Sequence, residues 1–137
     1  VAAIRASQLG KKVAVVEKAE VGGICLNWGC IPTKALMKSA QVFNYAKHAA
    51  DYGVSINGEV KVDFPAMVKR SREVADGMSK GVQYLFKKNK IEVIRGFGIV
   101  KPGKKVEVTD IEGKKSTYGA ENIIIATGSS PVRLQQA

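Results

Sequence analysis

Only two cysteines and one histidine stand among the 137 residues. Two cysteines are too few for a secreted disulfide scaffold, and an intracellular catalytic pair fits better. A zinc site would need further ligands, which His48 alone does not supply, so no metal centre is read here. No apolar run approaches the ~20 residues of a membrane span. There is neither a signal-peptide pattern nor an initiating Met, so the chain reads as starting mid-protein or after processing. Aromatics are scarce at 7%, and few interleave with the basic residues. That scarcity matters because charge is one-sided, with 22 Lys and Arg against 12 Asp and Glu, a net +10. Such an excess invites a nucleic-acid reading, but no RRM, KH or helix-turn-helix pattern accompanies it. Lys69, Arg70, Arg72, Lys80, Lys87, Lys88 and Lys90 lie along and just beyond one amphipathic segment, where a solvated helix face accounts for them. The expectation is no nucleic acid and no membrane. An acidic protein partner is the better use of the charge.

What is present concentrates between Val21 and Leu36, V-G-G-I-C-L-N-W-G-C-I-P-T-K-A-L. Both cysteines are here. Pro32 follows Cys30 and opens a helical pattern (Ile31, Ala35, Leu36, Phe43, Ala46), putting Cys30 within about one turn of a helix N-terminus. Unpaired N–H groups and the dipole there favour a thiolate. Lys34 lies four residues on, on the same helical face. Spacing alone leaves three readings open: a redox-active disulfide, a weak zinc pair, or two buried apolar cysteines.

The whole chain, 45% hydrophobic over 137 residues, is one domain's worth. Val1 to Gly10 reads as a helix ending at a glycine cap, and Val13–Val16 as a buried parallel strand closed by Glu17. Helix, turn, strand and acid make the second half of a βαβ dinucleotide unit, in which the acid accepts from ribose hydroxyls. The plain alternative for Glu17 is a charged residue leaving a strand. Gly22-Gly23 lets backbone approach a ligand. Tyr52-Gly53 and Asn57-Gly58 mark turns, and Asp63 with Pro65 starts a long helix. Its apolar stripe (Phe64, Met67, Val68, Val74, Ala75, Met78, Val82, Leu85, Phe86) reads as core, and Tyr45, His48 and Tyr84 as structural or surface residues. A short strand at Ile91–Ile94, an antiparallel meander from Ile99 to Tyr118 and a second buried strand at Asn122–Ala126 follow. The turn Thr127-Gly128-Ser129-Ser130-Pro131 ends that strand.

G-G-I-C-L-N-W-G-C-I-P-T-K-A-L closely resembles the redox motif of the flavin disulfide reductases, G-G-x-C-x-N-x-G-C-x-P-[ST]-K. Cys25-Leu26-Asn27 and Ile31-Pro32 resemble most the branch that oxidises dihydrolipoamide in 2-oxoacid dehydrogenase complexes. The resemblance runs from Ala2 to Ser129. It implies an α/β fold: a partial Rossmann-like FAD-binding domain over residues 1–137, with parallel sheet, helices and a small meander. The family's first strand and G-x-G-x-x-G loop do not appear in this sequence, and in the order 3-2-1-4-5 that strand would separate Val13–Val16 from Asn122–Ala126. Nor do its NAD-binding and dimer-interface domains.

The resemblance also implies roles. Cys25 and Cys30 would form the redox disulfide, Cys30 nearer the flavin and Cys25 exchanging with substrate, with Lys34 stabilising negative charge. FAD would be held by Glu17, Lys18, Gly22, Gly23, Ile24, Cys25, Cys30, Lys34, Gly98 and the turn Ala126, Thr127, Gly128, Ser129, while NAD would bind a domain outside this sequence. The implied partners are dihydrolipoamide or a lipoyl domain and a second copy of the full-length chain, in a bacterial cytoplasm or a mitochondrial or plastid matrix. The segment by itself is expected to be inactive. Alternatives are a glutathione- or mercuric-reductase-like flavin enzyme, or a non-catalytic interaction module. Trp28 is bulkier than the small apolar residue usual at its position, and either alters access to Cys25 or packs.

Overall fold

A computed structural model describes residues 1–129; Ser130 and Pro131, the end of the expected turn, lie outside the described residues. The chain divides into two units, one of Val1–Val13 and Glu20–Glu92, the other of Ala14–Ala19 and the chain from Val93 onward.

Helices build the first unit. α1 spans Ala2–Gln8, followed by Gly10 at a φ of +79°, the left-handed close its sequence promised. α2 (Gly23–Asn27) and α3 (Cys30–Lys47) follow one another with two residues between, Trp28 and Gly29. α3 covers its apolar pattern as far as Ala46 and gives way to a 3-10 turn at Ala49–Tyr52 that ends on Gly53. α4 (Phe64–Lys88) starts where expected, because Asp63 Oδ1 accepts from the Ala66 N–H at 2.9 Å and Pro65 occupies the first turn. The Ser7 hydroxyl donates to the Asn89 carbonyl, tying α1 to the residue that ends α4.

The buried face of α4 is only part of the stripe expected: Ala75 and Phe86 of that stripe are buried and Met67, Val74 and Val82 half-buried, and two serines join them. Ser71, Ala75, Ser79 and Phe86 are buried, whereas Phe64 is 64% and Met78 50% exposed, and Val68 and Leu85 are exposed too. Small side chains at four-residue spacing bring the α4 backbone close to α2 and α3, both of which pack on it. The Arg70 Nη1 donates to the Ala35 carbonyl of α3 at 2.9 Å, strengthening that approach. Hydropathy located the helix and part of its inward face, and the small Ser71 and Ser79 extend that face.

Strands build the second unit. β1 (Ala14–Glu17) pairs with β2 (Glu92–Arg95). The Glu92 N–H donates to the Val13 carbonyl at 3.2 Å and the Gly96 N–H to the Glu17 carbonyl at 3.1 Å. Both strands advance together, so the pair is parallel. β1 is half-buried rather than enclosed, since only one strand pairs with it among the described residues. β3 (Phe97–Lys101), β4 (Lys105–Thr109) and β5 (Lys115–Gly119) form the antiparallel meander, with Gly98 opposite Val108 and Val106 opposite Tyr118. Gly96 makes the bend between β2 and β3 at a φ of +153°, where a Cβ would lie 2.5 Å from the Thr109 carbonyl oxygen. No other residue fits there.

The expected strand at Asn122–Ala126 does not form: these residues have no regular structure, and Ile124 and Ile125 are 75% and 70% exposed. A strand needs a neighbour to satisfy its backbone, and no described strand pairs with this segment. Among the described residues, no helix is long and apolar enough to cross a membrane.

Candidate active site

Cys25 is the third residue of α2 and Cys30 the first of α3. They are joined by a disulfide, with Cα atoms 4.7 Å apart. Both residues are exposed. That removes the buried apolar alternative, and the bridge leaves no thiolate for a zinc site.

The turn between them is held from several sides. The Trp28 N–H donates to the Ile24 carbonyl at 2.8 Å and the Thr33 N–H to the Gly29 carbonyl at 3.1 Å. The Asn27 side chain, 4% exposed, donates to the carbonyls of Val21 at 3.1 Å and Gly23 at 2.9 Å, folding α2 back on its approach. Ser79 of α4 also donates to the Val21 carbonyl, at 3.3 Å. Gly29 leaves little room for a side chain: a Cβ would meet the Ile24 oxygen at 3.2 Å and the Cys25 Cα at 3.3 Å. A helix of five residues has little stability of its own, so these contacts keep α2 in place.

Arg72 of α4 was read from sequence only as surface charge, yet it reaches this turn. Its Nη2 donates to the Asn27 carbonyl, and its guanidinium carbon sits 4.5 Å from the centre of the Trp28 ring. An open cleft of about 320 Å³ lies alongside, with Trp28, Arg72 and Asp76 in its wall. No local spacing could have exposed the pairing, since 43 residues lie between Trp28 and Arg72 in the chain.

The other expected residues fall in both units. In the first, Gly22, Gly23 and Ile24 lead into the disulfide and are exposed, with Gly22 and Gly23 at φ values of +108° and +76°. Lys34 is exposed one turn into α3 and makes no ion pair with any described residue. In the second unit, Glu17 Oε1 accepts from the Ala19 N–H at 2.9 Å, which leaves its other oxygen able to accept from a ligand hydroxyl. The Lys18 ammonium stands 5.7 Å from the centre of the Phe97 ring. Gly98 is exposed, and a Cβ there would come within 3.1 Å of Val16 Cγ1. Ala126, Thr127, Gly128 and Ser129 are exposed without regular structure, and the end of the turn expected there lies outside the described residues. His48, on no expected site, is exposed and places Nδ1 2.9 Å from the Asn44 carbonyl oxygen.

Two sulfurs in a bridge that solvent reaches can exchange with thiols, which a buried pair cannot do. The fold and this chemistry are those of a disulfide oxidoreductase. The chain belongs to the pyridine nucleotide-disulphide oxidoreductase family, whose profile matches residues 1–137. It is 52% identical over 130 residues to a dihydrolipoyl dehydrogenase of Chlorobaculum tepidum, covering 95% of this chain and 28% of that protein. A dihydrolipoyl dehydrogenase of Acholeplasma laidlawii is also 52% identical, over 132 residues, covering 96% of this chain and 38% of that relative. One from Bacillus subtilis is 46% identical, covering 98% of this chain and 28% of its own. The chain thus spans well under half the length of these relatives. The crystal structure of LpdA from Mycobacterium tuberculosis has the same fold, with a TM-score of 0.84 at 22% identity over 96% of this chain and 29% of that one.

Proposed function

We propose that this chain is the disulfide-bearing part of a dihydrolipoyl dehydrogenase, in which Cys25 and Cys30 take two electrons from dihydrolipoamide. The observation that carries the reading is the solvent-reachable bridge between α2 and the first residue of α3. One substrate thiolate attacks Cys25 Sγ, the Cys25–Cys30 bond breaks, and Cys30 leaves as a thiolate. The second substrate thiolate then attacks the substrate sulfur of the mixed disulfide, releasing Cys25 and closing the lipoyl ring. Two electrons have moved to the protein, and the two substrate protons must be carried away by a base. A thiolate on Cys30 is the better leaving group because it sits at a helix start, with the Lys34 ammonium one turn on.

The residues present suit FAD as the next acceptor. In the first unit, Gly22 and Gly23 expose backbone just before the disulfide, and Lys34 is a cation without an ion-pair partner among the described residues. In the second, Glu17 keeps a carboxylate oxygen for a ribose hydroxyl, and Gly98 presents backbone where a side chain would crowd Val16. Lys18, Ile24 and the Ala126–Ser129 segment complete the proposed set. When bound, the flavin supplies the two-electron store through which the dithiol is reoxidised, with NAD⁺ the final acceptor.

Full-length protein mixed anaerobically with one equivalent of dihydrolipoamide should gain two titratable thiols, located on Cys25 and Cys30 by mass mapping. A protein that stays fully oxidised, yet is reduced by glutathione, would refute lipoamide as the substrate. In the same protein, Cys25→Ser should leave a Cys30 thiolate and give long-wavelength thiolate-to-flavin absorbance without reductant. Cys30→Ser should give none, and identical spectra from the two variants would overturn the assignment of the sulfurs.

A further inference from the structure

We propose that Arg72 is a positioning residue for the redox pair, acting with Trp28 as a clamp on the turn that joins the two cysteines. The inference rests on Cys25 and Cys30 being the working dithiol. Four residues separate them, Leu26-Asn27-Trp28-Gly29, and Arg72 engages the two in the middle.

Once the disulfide opens, only the protein keeps the sulfurs within reach of each other. A free turn of this length would scatter them, and closing the bridge again would cost the entropy of gathering it. Asn27 fixes the start of α2 through its side chain but cannot satisfy its own carbonyl, one of the last carbonyls of a short helix. Arg72 supplies that missing donor from α4, a helix docked independently on α3. The same guanidinium has its carbon 4.5 Å from the centre of the Trp28 ring, close enough to hold the next residue. A planar fork does both at once, and an ammonium cannot. The bulky residue at position 28 then has a use: Trp28 is 68% exposed and serves as the far jaw of the clamp rather than as core.

Neighbouring Arg70 provides the contrast. It also donates to a backbone carbonyl from α4, but to Ala35 in the body of α3, beyond the turn. Loss of either arginine removes a charge-assisted bond between helices. Only loss of Arg72 should reach the sulfurs.

The test equilibrates full-length protein anaerobically with reduced and oxidised dithiothreitol, traps thiols by acid quench and alkylation, and counts them on Cys25 and Cys30. The protein disulfide and reduced dithiothreitol exchange to protein dithiol and cyclic dithiothreitol disulfide, so the ratio reads the closing tendency of the pair. Arg72→Met should shift it toward the dithiol by roughly tenfold, about 30 mV for a two-electron couple. Trp28→Ala should shift it the same way, and the double variant no further than the larger single one, because the two side chains act as one unit. Trp28→Phe should restore most of the effect and Arg72→Lys little of it. Arg70→Met should lower the melting temperature while leaving the ratio within twofold of the parent.

An unchanged ratio in Arg72→Met, equal shifts from Arg70 and Arg72, or additive effects of Arg72 and Trp28 would each overturn the clamp. Should Arg72→Met fail to fold, Trp28→Ala against Trp28→Phe decides alone: no difference between them refutes it. Failure of the underlying reading is seen separately, in parent protein that dihydrolipoamide does not reduce.

Discussion

Two stretches of this chain were expected from sequence to be structured, and only one took the form expected. Val21–Leu36 folds into two helices with its cysteines bridged, whereas Asn122–Ser129, exposed apart from the half-buried Ile123, has no regular structure. Their hydropathy does not distinguish them; three successive isoleucines make the second the more apolar. The difference is in where each finds its partners. Asn27 donates to carbonyls four and six residues earlier, Gly29 packs on Cys25, and α4 supplies Ser79 and Arg72 from the same unit. A parallel strand has no such local recourse, because its hydrogen bonds come from strands distant in sequence.

The strongest way to break this contrast is to remove the local partner. Asn27→Ala should destabilise the first unit by about 2–3 kcal/mol, since it empties a buried site and strips a donor from the Gly23 carbonyl. Chemical denaturation of the chain measures it. A cost below about 0.5 kcal/mol would mean that the turn holds without its internal brace. Gly29→Ala is the steric counterpart, expected to cost about 1–2 kcal/mol because the atoms it would press on are backbone, which yields little. Its disulfide should also form more slowly from the dithiol under air, as thiol counting over time would reveal. Unaltered closure would show that the approach of Gly29 to Cys25 is incidental.

The legible part of the molecule follows the same division. Sequence located the α4 start from Asp63 and Pro65, the meander from its alternation and glycine breaks, and the cysteine helix from Pro32 and its apolar spacing. These signals are carried within a few residues of where they act. What was missed needs contacts across the chain. Ser71 and Ser79 look like part of a polar face until α2 and α3 are known to lie against them. Arg72 looks like one more cation in a basic run until its carbonyl and indole partners are in view. α2 itself has too few residues to leave a periodic trace.

Asp63→Ala probes a local signal of intermediate weight. Loss of its bond to the Ala66 N–H should cost about 1 kcal/mol, and Asp63→Asn should recover most of it. Thermal melts of both variants suffice, and an equal loss in each would point to charge rather than capping.

The smallest effect is the most informative about the exposed isoleucines. With Ile124 75% in solvent and no strand beside it among the described residues, Ile124→Asn in polypeptide 1–137 should change stability by no more than about 0.5 kcal/mol. In full-length protein the same substitution should cost about 2–4 kcal/mol if the segment there becomes a strand enclosed on both faces, because an amide would replace a buried branched side chain. The ratio of the two costs, rather than either alone, measures how far this segment depends on chain outside residues 1–137. Equal small costs in both polypeptides would mean that the run of isoleucines never enters a sheet, and that its resemblance to a buried strand is one of composition only.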